Sequence, residues 1–222
     1  MCGILALWQQ SANIDQIKTL LRQTMIRGKH ATGVTFLKNG KLSTVKEGIP
    51  AEQFISEFDF GQVVDSDNQV LMIAHIRYST SDLRFNQPFQ SGSVSIAHNG
   101  VISQEDCSTW KYPCETENDS ELVLRSIEKG LHPLTDFPDS SQAVVGIRES
   151  GAIFAWRNQA RPLWVSQSPN QVVFTSTLDI AKRSGLTNTE KCDMMSEYSF
   201  CSRTKTFSKR DIAYDHCIQD LQ

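Results

Sequence analysis

The chain of 222 residues carries a net charge of −3, with 39% hydrophobic and 21% charged residues. This composition is ordinary for a soluble globular protein with a sizeable core, and it provides no general basic surface, so no direct nucleic-acid binding is expected. Its apolar stretches fall far short of the ~18–20 residues that a membrane helix requires, so no membrane association is expected either.

The first hundred residues alternate between strand and helix patterns. A helix is predicted over residues 14–26, with its apolar side chains on one face and Asn13 or Asp15 as its cap. Asn39-Gly40 separates two strand-like runs, which is typical of a β-hairpin turn. Short apolar runs predict three buried strands, at residues 3–8, 70–77 and 93–102.

The second half is dominated by strands. A helix is predicted over residues 118–130, starting at Asp119 or Ser120, and a second helix over 177–186. Gly, Pro, Asn and Ser separate four further strands, at residues 142–149, 151–158, 162–167 and 171–177. The tail from about residue 186 is less patterned and is either a docking element or ordinary packing. We expect one domain over residues 1–222, with two packed sheets covered by helices.

The six cysteines are scattered, with no C-x-x-C pair and no zinc-ligand spacing, so neither a metal nor a disulfide framework is expected. No secretory signal precedes them, which predicts free thiols in a reducing cytoplasm. These residues are Cys2, Cys107, Cys114, Cys192, Cys201 and Cys217.

Cys2 follows the initiator methionine directly. Removal of Met1 would leave its α-amino group free, with a reference pKa of about 7.7–8.0, to take the thiol proton. The thiolate would then be a nucleophile whose base belongs to the same residue. The alternative is that Cys2 simply fills the core.

Four other residues stand at the ends of predicted elements. Arg77 ends a strand and is either solvated or a clamp for a ligand carboxylate. Asn99 and Gly100 either form a turn or supply an oxyanion hole. Asp119 is either a helix cap or the partner of a ligand ammonium. An α-amino acid with a side-chain amide, such as glutamine, would use all of these groups together with Cys2.

At this point the chain resembles a known family, the class II glutamine amidotransferase domains of the N-terminal nucleophile hydrolases. The resemblance covers about residues 2–185 and leaves the tail 186–222 unassigned. The matching motifs are, in order, "MCGI", "RGKHATG", "AHIRYST", "NQPF", "AHNG" and "ENDSE".

The resemblance implies an α+β fold, a four-layer αββα sandwich of two mainly antiparallel sheets covered by helices. It implies acyl transfer through a thioester on Cys2, with Asn99 and the Gly100 N–H as the oxyanion hole. Arg77, with Thr80 nearby, would hold the glutamine α-carboxylate.

The same resemblance assigns the remaining positions. Asp119 would bind the α-ammonium, and Arg27 would be a structural arginine near the nucleophile. Tyr78 and Gln87 stand where some family members carry Trp and His, and both are expected to support the site. No cofactor and no metal are implied.

Three functions fit these observations. The first is a cytoplasmic glutaminase that hydrolyses L-glutamine and passes ammonia to a separate acceptor-enzyme subunit. The second is a stand-alone amidohydrolase for another γ-glutamyl amide. The third is a non-enzymatic interaction module that retains the fold.

Overall fold

The structure, a computed structural model, describes residues 2–78 and 86–213. Helices in these residues are α1 (Ile14–Thr24), α2 (Ala51–Glu57), α3 (Glu121–Glu128), α4 (Pro133–Asp136) and α5 (Leu178–Arg183). Strands are β1 (Gly3–Gln9), β2 (Ala31–Lys38), β3 (Lys41–Glu47), β4 (Val70–Arg77), β5 (Phe89–Ser91), β6 (Val94–Val101), β7 (Ser141–Arg148), β8 (Ala152–Arg157), β9 (Trp164–Ser168), β10 (Gln171–Thr175), β11 (Thr189–Lys191), β12 (Ser196–Cys201) and β13 (Thr206–Asp211).

The strands form two sheets. The first sheet has the order β11-β9-β10-β1-β4-β2-β3, and the second has the order β13-β12-β8-β7-β6-β5. All of the paired strands run antiparallel, as in the pairs β1–β4, β1–β10 and β6–β7. Strands β1 and β4 therefore lie inside the first sheet, and β6 lies next to the short edge strand of the second.

The two sheets pack face to face across a shared apolar core. Ile4, Ala6 and Trp8 of β1 point into this core, because alternate residues of a strand face the same side. The second sheet contributes Val145 and Phe200, and all five of these side chains are at most 3% exposed. The ring centroids of Trp8 and Phe200 are 4.5 Å apart, so the sheets are in direct contact.

Helices cover the outer face of each sheet. Leu5 and Leu7 face away from the shared core and pack in an apolar cluster with α1, α2 and α5. Leu122 of α3 and Leu134 of α4 pack on the outer face of the second sheet. The result is the expected four-layer αββα sandwich. None of the helices in residues 2–78 and 86–213 is long and apolar enough to cross a membrane.

Two local predictions are confirmed in detail. Asn13 caps α1, since its side-chain oxygen accepts a hydrogen bond from the Gln16 N–H at 3.0 Å. Asn39 and Gly40 have φ angles of 53° and 76° and join β2 to β3, which is the turn that an Asn-Gly pair favours. The helix predicted over 118–130 is shorter, because α3 begins at Glu121 and Ser120 makes no side-chain capping bond.

The tail is packed into the molecule as far as it is described. β11 extends the first sheet, whereas β12 and β13 extend the second. Tyr198 and Phe200 of β12 are buried in the shared core. Cys192, which directly follows β11, is buried in the same core. The described cysteines are free thiols, as predicted, and Cys217 lies outside the described residues.

His132 is a half-buried histidine on the outer side of the second sheet. Its Nδ1 accepts a hydrogen bond from the Leu134 N–H at 3.2 Å, which caps α4, and its ring lies 4.7 Å from that of Trp156. Burial, opposed by the nearby Glu197 carboxylate, lowers the pKa of His132 to about 4. The imidazole is therefore neutral in the folded protein at pH 7.

His132 should make the protein less stable in mild acid. As the pH falls below about 6.5, the unfolded chain binds a proton that the folded protein does not, which lowers the free energy of unfolding by about 2 kcal/mol at pH 5. His132→Asn, which can still cap α4, should remove that part of the difference in urea-unfolding free energy between pH 7 and pH 5. An unchanged difference in the variant would contradict a neutral, half-buried His132.

Candidate active site

The pairing of β1 with β4 brings Cys2 and Arg77 together. Gly3 pairs with Ile76, so the next residue outward on each strand is Cys2 and Arg77 respectively. The sulfur of Cys2 lies 3.9 Å from the carbonyl oxygen of Tyr78. Two residues separated by 75 positions in the chain therefore meet at one end of the first sheet.

Arg77 is held rigidly although it ends its strand. Its side chain is buried, with the residue 7% exposed, and Nη1 donates a hydrogen bond to Oδ1 of Asn86 at 3.0 Å. Asn86, the first residue of the second described range, thus anchors the guanidinium group. Thr80, the expected neighbour in carboxylate binding, lies outside the described residues.

Asn99 and Gly100 lie at the end of β6 in the second sheet. Asn99 is 2% exposed, and its Nδ2 is buried without a hydrogen-bond partner in the described part of the chain. A buried amide nitrogen in that state costs free energy unless a ligand accepts its hydrogen bond. Next to Gly100, Asn99 therefore keeps a buried donor that no described residue uses.

The edge of β6 opposite β7 is open at Gly100. β5 pairs with β6 only as far as Ile96, and beyond it the N–H of His98 donates to Oε1 of Gln87 at 2.7 Å. The Gly100 N–H lies on the same edge, because every second residue of a strand directs its N–H to the same side.

Gly100 must also be glycine for a packing reason. A Cβ at this position would lie 1.7 Å from the carbonyl oxygen of Ser141 and 2.5 Å from Nε2 of His98. The Ser141 oxygen belongs to the backbone of β7 and cannot move aside without disrupting the sheet.

Asp119 does not cap α3, but ties the start of that helix to the segment after β6. Its Oδ2 accepts hydrogen bonds from the N–H groups of Ile102 at 2.6 Å and Ser103 at 3.2 Å. Both bonds are accepted by the same oxygen. The carboxylate is thereby fixed beside Gly100.

These groups surround one cavity of about 390 Å³ between the ends of the two sheets. Its described walls include six of the predicted site residues, namely Cys2, Arg77, Tyr78, Gln87, Gly100 and Asp119. The remaining lining residues are His75, His98, Val101, Ser103, Gln104, Glu105, Trp110, Glu117, Asn118 and Ser120. Asn99 and Arg27 are not among the lining residues, but Asn99 directly precedes Gly100 and Arg27 contacts Cys2, and both of these residues line the cavity.

Arg27 and its neighbouring glycine pack against Cys2 and the end of β4. Nε of Arg27 donates a hydrogen bond to the carbonyl oxygen of Cys2 at 3.4 Å. A Cβ on Gly28 would lie 2.4 Å from the carbonyl carbon of Arg77, so the Arg-Gly segment packs directly on the end of β4. Tyr78 is 48% exposed at the rim of the cavity, with its ring 5.1 Å from that of His30.

Burial controls the resting state of the Cys2 thiol. It raises the pKa of Cys2 above the ordinary value, and the guanidinium groups of Arg77 and Arg27 offset only part of that rise. The thiol is therefore protonated at neutral pH. A base must remove its proton before the sulfur can attack a substrate.

Sequence reasoning missed two histidines and a serine in the cavity wall. His75 is 1% exposed, and burial, assisted by the charge of Arg77, lowers its pKa to about 3, so it is neutral. His98 and Ser120 are also buried and hydrogen-bond each other at 2.8 Å. The one signal was the repeated "AH" dipeptide, two residues before Arg77 and directly before Asn99.

Gly100→Ala should lower the free energy of unfolding by about 1–3 kcal/mol or more, because the new methyl group collides with a backbone carbonyl of β7. Gly48→Ala is the matched control, since a Cβ there meets no atom within 4 Å, and it should change stability by less than about 0.5 kcal/mol. Urea unfolding of both variants measures the difference. Equal stability of the two would show that β7 can move away from Gly100.

No protein-family model matches the chain. Glutamine–fructose-6-phosphate aminotransferase (isomerizing) from Vibrio vulnificus, in the strains YJ016 and CMCP6, is 24% identical over 185 residues. The aligned region is 78% of this chain and 30% of the relative, so the chain spans less than a third of the length of these relatives.

Solved structures match the fold over nearly the whole chain. Glutamine phosphoribosylpyrophosphate amidotransferase from B. subtilis superposes on 96% of this chain and 49% of its own, with a TM-score of 0.78 and 16% identity. A glutamine aminotransferase class-II domain protein from Silicibacter pomeroyi covers 95% of this chain and 99% of its own, with a TM-score of 0.57 and 12% identity. The comparisons thus agree with the motifs: the chain is similar in sequence to these aminotransferases and shares the fold of the solved amidotransferase structures.

Proposed function

We propose that this chain hydrolyses L-glutamine to glutamate and ammonia, with Cys2 as the nucleophile. The observation that carries the proposal is that Cys2, Arg77, Gly100 and Asp119 line one cavity although they come from distant parts of the chain. A thiol, a cation, an N–H donor and a carboxylate are the four groups that an amino acid with a side-chain amide would engage.

The cavity offers a separate partner to each charged α-group of such a substrate. Arg77 can hold the α-carboxylate through its guanidinium group, which suits a planar, bidentate partner. Asp119 can hold the α-ammonium through charge-assisted hydrogen bonds. With both α-groups held at one end of the substrate, the side-chain amide at the other end extends toward Cys2, and proximity of this kind lowers the barrier to attack.

Activation of the thiol requires removal of Met1. The α-amino group of Cys2 then takes the Sγ proton as the sulfur forms a bond to the amide carbon. The resulting oxyanion accepts hydrogen bonds from Nδ2 of Asn99 and from the Gly100 N–H. The raised pKa of the buried thiol makes this internal base necessary, because little thiolate is present beforehand.

The remaining steps return the enzyme to its starting state. The amino group passes its proton to the departing nitrogen, the carbon–nitrogen bond breaks, and ammonia leaves a γ-glutamyl thioester on Cys2. Water then attacks the thioester and gives one proton back to the thiol through the amino group, which releases glutamate. No oxidant or cofactor takes part in this balance.

We propose in addition that a separate acceptor enzyme consumes the ammonia. The support is the nature of the relatives, which are named for transfer of the glutamine nitrogen to fructose 6-phosphate or for a phosphoribosylpyrophosphate amidotransferase reaction. The present chain corresponds to 30% and 49% of those proteins.

Cys2→Ala should lower glutaminase turnover by at least about 10³-fold, because no other group can form the thioester. Circular dichroism and thermal unfolding should show that the fold is retained. An electrophilic glutamine analogue should add one equivalent to the wild-type chain at Cys2 and none to the variant, as measured by mass spectrometry.

Cys107→Ala is the matched control for this experiment, because Cys107 is an exposed free thiol outside the cavity lining. It should keep wild-type turnover and labelling. Full turnover by Cys2→Ala, or labelling that depends on Cys107, would exclude Cys2 as the nucleophile.

Arg77→Gln should lower kcat/KM for glutamine by about 10–10²-fold, because a charge-assisted hydrogen bond to the α-carboxylate is lost. The variant also loses its present bond to Asn86, so a second substrate is needed to isolate the carboxylate contact. 4-Aminobutyramide is glutamine without the α-carboxylate. The wild type should prefer glutamine over it, and the variant should hydrolyse both with similar kcat/KM.

Arg183→Gln serves as the control for Arg77→Gln, because Arg183 is an exposed arginine that pairs with Asp179 on α5. It should keep the wild-type preference for glutamine. If Arg77→Gln also keeps that preference, the α-carboxylate binds elsewhere and the proposed substrate orientation is wrong.

A further inference from the structure

A buried histidine near the end of β6, His98, connects this strand to β7 and to the segment just before α3. His98 places Nδ1 2.8 Å from Oγ of Ser120, just before α3, and Nε2 3.2 Å from the carbonyl oxygen of Ser141 on β7. Gln87 contacts both His98 and Ser120, since its Oε1 accepts from the His98 N–H and its Nε2 donates to Oγ of Ser120 at 3.0 Å.

The donors and acceptors in this group fix the position of every proton. A backbone carbonyl only accepts, so Nε2 of His98 carries the hydrogen that points to Ser141. Nδ1 of a neutral imidazole is then an acceptor, and the Ser120 hydroxyl donates to it. That direction is consistent with Gln87, whose amide N–H supplies the hydrogen bond that the Ser120 oxygen accepts.

The imidazole is held neutral, as this arrangement requires. Burial lowers the pKa of His98 below its ordinary value, and the positive charge of Arg161 acts in the same direction. The carboxylate of Asp119 and the Ser141 carbonyl oppose the decrease but do not reverse it.

The two residues that follow His98 are Asn99 and Gly100, the proposed oxyanion-binding groups. The bond from His98 to Ser141 holds β6 against the start of β7 at the point where Gly100 has no room for a side chain. A rotation of this segment would move the Asn99 amide and the Gly100 N–H together, and displacements of about 1 Å in an active site can reduce the rate by about 10²-fold.

We infer that His98 is a positioning residue that aligns Asn99 and Gly100 for the transition state, and that the Ser120 hydroxyl, by donating to Nδ1, holds the imidazole ring in the orientation in which it does so. This inference rests on the proposed function. It assigns to Ser120 a role in kcat, which differs from the role in substrate binding proposed for its neighbour Asp119.

Ser120→Ala tests the inference with a readout that a purely structural role would not change. ¹⁵N NMR of histidine-labelled protein should show His98 as the Nε2–H tautomer in the wild type, with the signal assigned by its loss in His98→Gln. In Ser120→Ala, Nε2 should stay protonated because Ser141 still accepts its hydrogen, and the ¹⁵N resonance of Nδ1 should move downfield because Nδ1 no longer receives a hydrogen bond. Glutaminase kcat should fall about tenfold while KM stays within about twofold of the wild-type value.

Ser184→Ala is the matched control, because it removes a buried serine hydroxyl at the end of α5 that has no hydrogen-bond partner among the described residues. The His98 ¹⁵N resonances, the kcat and the KM of Ser184→Ala should equal those of the wild type. Thermal unfolding of both serine variants should confirm that they are folded at the assay temperature.

The outcomes separate the inference from the proposed function. If the wild type is active and Ser120→Ala keeps the wild-type kcat, the inference alone is overturned. The same holds if His98 is found as the Nδ1–H tautomer. A rise in KM with unchanged kcat would assign Ser120 to substrate binding and also overturn it. A wild-type protein, freed of Met1, that neither hydrolyses glutamine nor reacts with its electrophilic analogue would overturn the proposed function itself.

Discussion

The pairing of β1 with β4 is the constraint on which the rest of the structure depends. No turn connects these strands, so their register is set by packing alone. On β1, Ile4, Ala6 and Trp8 contact the second sheet, whereas Leu5 and Leu7 contact the helices. A shift of one residue would exchange the two sets and direct Trp8 away from Phe200, which makes the observed register strongly preferred.

The same register places the Cys2 thiol. Because Gly3 pairs with Ile76, the last strand residue of β4 is the neighbour of Cys2, and burial of the strands fixes both at the end of the shared core. Arg27 donates a hydrogen bond to the Cys2 carbonyl oxygen, and Gly28 packs against the end of β4.

The second sheet contributes its groups by a different physical means. At the end of β6 the controlling feature is close packing, because Gly100 lies against the backbone of Ser141 and leaves no room for adjustment. Asp119 reaches the same place through hydrogen bonds to the backbone after β6, not through the helix that follows it. Three features therefore form the cavity, namely the register of β1 with β4, the contact of Gly100 with Ser141, and the anchored carboxylate of Asp119.

Much of the fold could be predicted from local patterns, and the site could be predicted only in part. The Asn39-Gly40 turn and the Asn13 cap depend on neighbouring residues, so the sequence contains all the information that they need. The helices α2 and α4 and the strand β5 were missed, because they have only seven, four and three residues and show no full period.

The individual site residues were predicted from the chemistry of their side chains and from the family resemblance, but their mutual placement was not. Nothing in the spacing of His98, Ser120 and Ser141 indicates that they are hydrogen-bonded, because those bonds form between separate elements of the fold. The same holds for Asp119, whose position before α3 suggested a cap.

The short strand β5 has a consequence for the behaviour of the chain in solution. An uncovered strand edge is a template on which other chains can add, and such additions lead to aggregation. Beyond Ile96 the edge of β6 is protected by the side chain of Gln87, whose amide oxygen occupies the place of a neighbouring strand's carbonyl. A single side chain thus takes the place of a strand at His98, and the next N–H along the edge, that of Gly100, has no strand partner on that side among the described residues.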